Sequence, residues 1–219
     1  MSKEIIVDNH VKKQVEALLK DSRYENIAKE YALPTKVIDC GILFIGLNPS
    51  EDKSGKGERL FRYFLNQDKN EHQYFNKFQV VSQKVGMHWD HLDVLMVRKT
   101  KQSGIHKILK TDHGRDFILD QLQIFKIIFE QTSPKVIVVT NTLAATFLGL
   151  HEEKATWLGY SFKWNDELGT YFYGDIPVFF TSMLSGQRAL DLGSLKRLEW
   201  HIKHVLKEIK KSKNESKGS

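Results

Sequence analysis

Residues 42–50 read ILFIGLNPS, and this stretch decides how the rest of the chain is organised. Ile42 to Ile45 form an apolar run of the kind a strand covered on both faces requires. The run stops abruptly at Gly46-Leu47-Asn48-Pro49-Ser50. Proline disfavours the α region for the residue before it, so Asn48 is held extended with its carboxamide projecting beyond the strand end. Gly46 has no Cβ and lets another group come close to the backbone. Taken alone, the same pattern also reads as an Asx-type turn that merely ends the strand.

Outward from this strand, helical and strand patterns alternate. Val11, Val15, Leu18 and Leu19 recur at helical spacing, Ile27, Ala28 and Tyr31 extend the series, and Pro34 closes it, which predicts a helical N-terminal segment. GERLFRYFLN (57–66) and YFNKFQVVSQKVG (74–86) predict two helices, the second ending on Gly86. LDVLMV (92–97) predicts a second strand, and Phe117, Leu122, Phe125 and Phe129 a helix that Pro134 breaks. KVIVVT (135–140) is a third strand, followed at once by a helix over NTLAATFLGL (141–150). YSFKWNDELGTYFYG (160–174) has two aromatic segments around a polar turn and predicts a hairpin. IPVFF (176–180) is a last buried strand, and Leu195, Leu198, Ile202, Val205 and Ile209 give an amphipathic C-terminal helix. This alternation predicts an α/β protein with a parallel sheet covered on both faces, whose site is built by loops at the carboxyl ends of the strands. Asn48, Arg98, Asn141 and the segment from Thr181 to Ser185 occupy those ends.

The composition sets bounds on partners. At 219 residues and 41% hydrophobic, the chain fits one domain over 1–210, with a polar basic tail over 211–219 read as disordered. A formal charge of +6 favours polyanions. A lone cysteine, Cys40, makes no intramolecular disulfide and cannot alone hold zinc or an iron–sulfur cluster, which points to a reducing cytosol. No apolar run approaches the roughly 20 residues of a membrane span.

The second motif lies in FFTSMLSGQRALDLGSLKRLEWHIK (179–203). A strand runs straight into two serines, a leucine, a glycine and an arginine before a helix begins. Backbone amides and hydroxyls of such a loop suit phosphate oxygens, and Arg188 adds a charge of bidentate geometry. Leu184, between Ser182 and Ser185, reads either as a protruding apolar wedge that holds open a base stack or as a side chain turned inward.

Together, GLNPS and TSMLS resemble the motifs of the uracil-DNA glycosylase superfamily. Its first strand ends in G-x-N-P-G or G-Q-D-P-Y, and its last in H-P-S-P-L-S or N-P-S-G-L-S. The resemblance covers about residues 36–208. It implies a three-layer α/β/α sandwich around a central, mainly parallel four-stranded sheet. It also implies a cofactor- and metal-independent DNA glycosylase of base-excision repair, acting in the cytoplasm on uracil or another deaminated base. DNA is the implied partner, with no membrane, and the chain is expected to act as a monomer. By resemblance Asn48 positions the attacking water, Ser50, Ser182, Ser185 and Arg188 contact DNA, and Leu184 is the intercalating leucine. A ring that stacks on the flipped base follows the first motif: Phe61 is the choice, with Tyr63 and Phe64 as alternatives. Arg98 and Asn141 are the expected base-side donors, Arg98 serving equally well as a phosphate partner.

The chain also departs from the family. Phe180 falls on the position of the motif histidine, which in the family stabilises the leaving uracil anion, and Arg98 stands near where an asparagine often reads the base edge. Two further readings therefore stand beside the glycosylase: a non-catalytic nucleic-acid-binding protein on the same fold, and a small-molecule nucleotide-binding α/β protein. The remaining constellations read as packing or surface. HWDH (88–91) lacks metal-site spacing, His201 and His204 read as a solvated patch, and Trp157, Trp164 and Trp200 as packing residues. EDKSGKGERL (51–60) lacks the G-x-x-x-x-G-K-[ST] pattern of a triphosphate loop.

Overall fold

The computed structural model of the chain describes residues 3–39, 41–51, 58–65, 73–150, 157–186 and 189–215. A short strand, β1 (Glu4–Ile6), leads into α1 (Asp8–Lys20), whose Val11, Val15 and Leu18 are buried. The helical pattern then gives way to a 3-10 turn at Ser22–Tyr24 and to β2 (Tyr31–Pro34), β3 (Lys36–Ile38) and β4 (Ile42–Gly46). β5 (Leu60–Tyr63) follows, then a 3-10 turn at Gln73–Phe75, α2 (Asn76–Val85) and β6 (Trp89–Asp93). The chain continues through α3 (Gln102–Ile108), α4 (Asp112–Phe129), β7 (Val136–Val139) and α5 (Thr142–Leu148). It ends with β8 (Lys163–Asn165), β9 (Thr170–Tyr173), β10 (Ile176–Phe180) and α6 (Leu192–Glu215).

The fold is mixed α/β around a mainly parallel sheet of six strands, ordered β6-β4-β7-β10-β9-β8. β6, β4, β7 and β10 are mutually parallel, whereas β9 and β8 are antiparallel additions at the β10 edge. The expected four-stranded sheet is thus corrected to six. The predicted hairpin does form, and it satisfies the backbone groups that β10 would otherwise leave unpaired on its outer side.

Alternate residues of β4 and β7 sort onto the two faces of the sheet. Leu43, Ile45, Ile137 and Val139 join a cluster with α1, α4 and α5, while Ile42, Phe44, Val136 and Val138 join another with α2 and α6. Both faces are buried, which is why these strands read as unbroken apolar runs.

Three local readings change. Leu60–Tyr63, read as helix, is a strand paired in parallel with Tyr31–Pro34, itself read as the end of a helix. Each strand takes its partner from a distant part of the chain, and helical spacing cannot register that. The second parallel strand is 89–93 rather than 92–97; the amides of Val94 and Leu95 still donate to the carbonyls of Gly46 and Leu47, at 3.1 and 3.0 Å, and the chain parts from β4 at Met96. There the amides of Met96 and Val97 turn instead to Oε1 of the fully buried Gln121, at 3.0 and 2.8 Å. α6 continues to Glu215, into the stretch read as a disordered tail. No helix among the described residues is long and apolar enough to cross a membrane.

Gln121 is therefore the buried acceptor that lets Met96 and Val97 turn away from β4. Gln121→Ala leaves two buried amides without a partner and should lower stability by about 2–4 kcal/mol, read as a shift in the urea unfolding midpoint. A loss below about 0.5 kcal/mol would show that the amides find other partners.

Candidate functional site

In an open α/β sheet the crevice forms at the carboxyl ends of the strands, where the strand order reverses. Here the reversal falls between β4 and β7, since β6 lies on one side of β4 and the chain then crosses to the other. A cleft of about 1120 Å³ opens at this point, reached by Asn48 after β4, by His91 and Asp93 of β6, and by Asn141 after β7.

Two loops are stitched together at its mouth. The amide of Lys99 donates to the Pro49 carbonyl at 2.9 Å, and Arg98 Nε donates to the Ser50 carbonyl at 2.7 Å. Both side-chain N–H groups of Asn48 are taken as well: Nδ2 donates to the carbonyls of Pro49 at 2.8 Å and Lys99 at 2.7 Å. Two carbonyls facing Nδ2 settle the orientation of the amide, so Oδ1 remains as a fixed acceptor with no partner among the described residues. An anchored carboxamide offering only its oxygen can accept a hydrogen bond from a water and hold that water's lone pair in one direction. An Asx-type turn, in which Oδ1 accepts from a backbone amide, is not among the bonds of Asn48 with the described residues.

The floor of the cleft comes from β6. Period-two alternation puts Trp89, His91 and Asp93 on one side of the strand, and Asp93 lies opposite Gly46 in the parallel register. A Cβ at Gly46 would sit 2.3 Å from Asp93 Oδ1 and 2.7 Å from His91 Nε2, so only glycine lets both side chains lie over β4. The imidazole is enclosed edge-on by Tyr74, Phe75 and Phe78, with ring centroids 6.4, 5.3 and 5.6 Å away. Its two nitrogens are buried without a hydrogen-bond partner among the described residues.

His91 Nε2 and Asp93 Oδ1 are 3.7 Å apart, yet burial works against both charges. It pushes the His91 pKa down to about 3 and the Asp93 pKa up to about 8. Both shifts disfavour an ion pair and favour the uncharged forms, an imidazole and a carboxylic acid. The Tyr63 and Tyr74 phenols border the same space, their pKa values raised by burial and then by Asp93.

The other expected site residues divide. Phe61, 47% exposed, lines the cleft with its ring near-parallel to Tyr63, centroids 6.3 Å apart and planes at 15°. Arg98 lies 5.7 Å from the Phe61 centroid and 3.6 Å from the Glu30 carboxylate, which together with Ser50 makes it a brace for the loop. Exposed Ser50 enters that brace through its carbonyl. Asn141 caps α5, its Oδ1 accepting from the amides of Leu143 at 2.8 Å and Ala144 at 3.2 Å, so only its N–H groups face outward, one toward Gln102 at 3.5 Å.

The second motif needs the larger correction. Leu184 is fully buried in the cluster under α2 and α6, so it is a core residue in this fold, not a projecting wedge. Met183 lines the cleft in its place. The Ser185 hydroxyl is buried and donates to the Tyr74 carbonyl, which ties this loop to the aromatic wall instead of leaving it for a phosphate. Ser182 is exposed, and Arg188 lies outside the described residues, as do Cys40 and most of the 51–60 loop. Phe180 turns away from the cleft and packs edge-on against Phe162 and Tyr171, at 5.1 and 5.3 Å.

No protein-family model matches the chain, and no curated protein matches it.

Protonation of Asp93 can be read as stability. A carboxyl whose folded pKa is raised from 3.8 to about 8 favours the fold fully below pH 3.8, and that contribution is lost as pH rises through about 8. Asp90, raised to about 7 by burial, acts in the same direction, and His91, lowered to about 3, acts oppositely below its ordinary pKa of 6.5. Asp93→Asn isolates the first effect. The melting temperature of this variant, minus that of wild type, should grow from pH 5 to pH 9, whereas a constant difference would reject a raised pKa.

Proposed function

We propose that this protein is a DNA glycosylase, hydrolysing the N-glycosidic bond of uracil or another deaminated base in DNA, on a three-layer α/β/α sandwich of the uracil-DNA glycosylase type. The observation that carries the reading is the carboxamide of Asn48. Its N–H groups are fully used, and its oxygen, without a partner among the described residues, lies in one cleft with the Asp93 carboxyl, which burial holds toward its protonated form. Glycosidic cleavage develops positive charge on the sugar and negative charge on the departing base, so it calls for a held water on one side and a donor on the other.

Asn48 Oδ1 accepts a hydrogen bond from the water and aims its lone pair at C1′. Strong basicity is unnecessary where the sugar cation is well developed, and positioning supplies the advantage. The C1′–N bond breaks with its electron pair leaving on the base, the water oxygen bonds to C1′, and the proton it sheds passes to solvent. Asp93 donates a hydrogen bond to the base as its charge grows, the task for which Phe180 has no polar atom. Phe61 offers a ring face on which an extruded base can stack. The Lys- and Arg-rich exterior, at a net charge of +6, supports a polyanionic substrate.

Oligonucleotides carrying uracil, hypoxanthine or xanthine provide the test, with abasic-site formation as the readout. Asn48→Ala should slow single-turnover excision at least about a hundredfold. Failure of the wild type to excise any of the three would end the glycosylase reading, and salt-sensitive binding without excision would point to the non-catalytic alternative. Excision should also decline as pH rises past about 8 and Asp93 ionises, and Asp93→Asn should lose that decline. A wild-type profile that stays level through this range would remove Asp93 as the donor.

A further inference from the structure

Helix α6 turns Leu195, Leu198, Ile202 and Val205 into the core, and the 3.6-residue repeat sends the opposite side to solvent. That outer side carries Lys196, Trp200, Lys203, Lys207, Lys210 and Lys211, all exposed. None of these five lysines takes part in an ion pair among the described residues. From Lys196 to Lys211 the row extends about 22 Å along the helix. Trp200, expected to pack, is instead 65% exposed, and His204 one turn on lies parallel to it at 5.1 Å and 5°.

Both features are unfavourable in the free protein. Like charges at i, i+4 spacing repel, as between Lys203 and Lys207 and between Lys207 and Lys211. An indole left in water forgoes the burial of a large apolar face. One kind of partner relieves both: a polyanion with flat, unpaired aromatic faces. A single-stranded polynucleotide has phosphates for the lysines and bases for the indole. An anionic membrane would satisfy the lysines, but helices that lie on membranes bury a broad apolar face. The apolar face of α6 is already used inside the fold, and outside it only Trp200 and Leu192, eight residues apart, are large, apolar and exposed.

We propose that the outer face of α6 is a second nucleic-acid contact, separate from the cleft. It binds a single-stranded polynucleotide with phosphates along the lysine row and a base against Trp200. The assignment goes beyond the excision chemistry and does not require it.

Fluorescence anisotropy of a labelled oligodeoxyadenylate of about 20 nucleotides, which carries no uracil-like or deaminated base, tests it. The double variant Lys203→Ala/Lys207→Ala should bind about tenfold more weakly near 100 mM salt, with the log–log salt slope flattened by about 1.4. Trp200→Ala should weaken the single strand at least about fivefold while leaving a matched duplex unaffected. All three substitutions sit on the solvent side of the helix, and unchanged thermal unfolding confirms that the fold is retained. Unaltered binding by both variants overturns the assignment. So does equal loss on duplex, or loss of binding to phosphatidylserine vesicles with oligonucleotide binding intact. Excision by the wild type is scored separately. Absent excision with the predicted binding losses removes the glycosylase reading and keeps this one, and intact excision with unaltered binding does the reverse.

Discussion

The parallel register of β4 against β6, which sets Gly46 opposite Asp93, governs the geometry of the whole cleft. Because Gly46 has no side chain, the carboxyl and imidazole of the neighbouring strand can fold over it and fill a space a methyl group would occupy. The rings of Tyr74, Phe75 and Phe78 then close around the imidazole and strip it of water. Beyond Gly46 the same strand delivers Asn48, and the paired loops at 48–51 and 98–100 lock that amide in place. Floor and mouth of the site are thus consequences of one strand pairing.

Much of this was legible in the sequence, and the illegible parts have physical causes. Strands buried on both faces declare themselves as apolar runs, so β4, β7 and β10 were plain, as was the placement of Asn48 at a strand end. The apolar run that signals β6 begins three residues late, at Leu92. Begun at Trp89, its alternation would have placed His91 and Asp93 together at the carboxyl end of a strand, where α/β sites form. The polar residues of HWDH concealed it, because a strand whose one side lines a cleft need not be apolar there. β2 and β5 were missed because each is stabilised by the other across a long interval of chain. Leu184 was ambiguous from the start: a leucine between serines fits a wedge or a core plug equally, and only the packing of α2 and α6 decides for the core.

The charge distribution separates two environments. Outside, Lys196, Lys203, Lys207, Lys210 and Lys211 of α6 are exposed and in no ion pair among the described residues, and the reach of their charge is screened by salt. Inside, burial favours the uncharged forms of His91 and Asp93 on the cleft floor. A preformed ion pair at the same place would resist donating a proton to anything else. Fixed positive charge and buried titratable groups thus lie in different parts of the molecule, one wet and one dry.

The margins of the main sheet bear on how the molecule behaves in a crowded solution. One margin, β6, lies against β3, with the Asp90 carboxylate receiving the Ile38 amide at 2.6 Å. The other ends in β8, only three residues long and carrying exposed Lys163. A neighbouring copy trying to extend the sheet would find one border occupied and the other too brief to template a ladder, with a charged Lys163 at its start. A chain this rich in buried β-branched and aromatic strands is thereby protected from fibre-like growth at the borders of its own architecture.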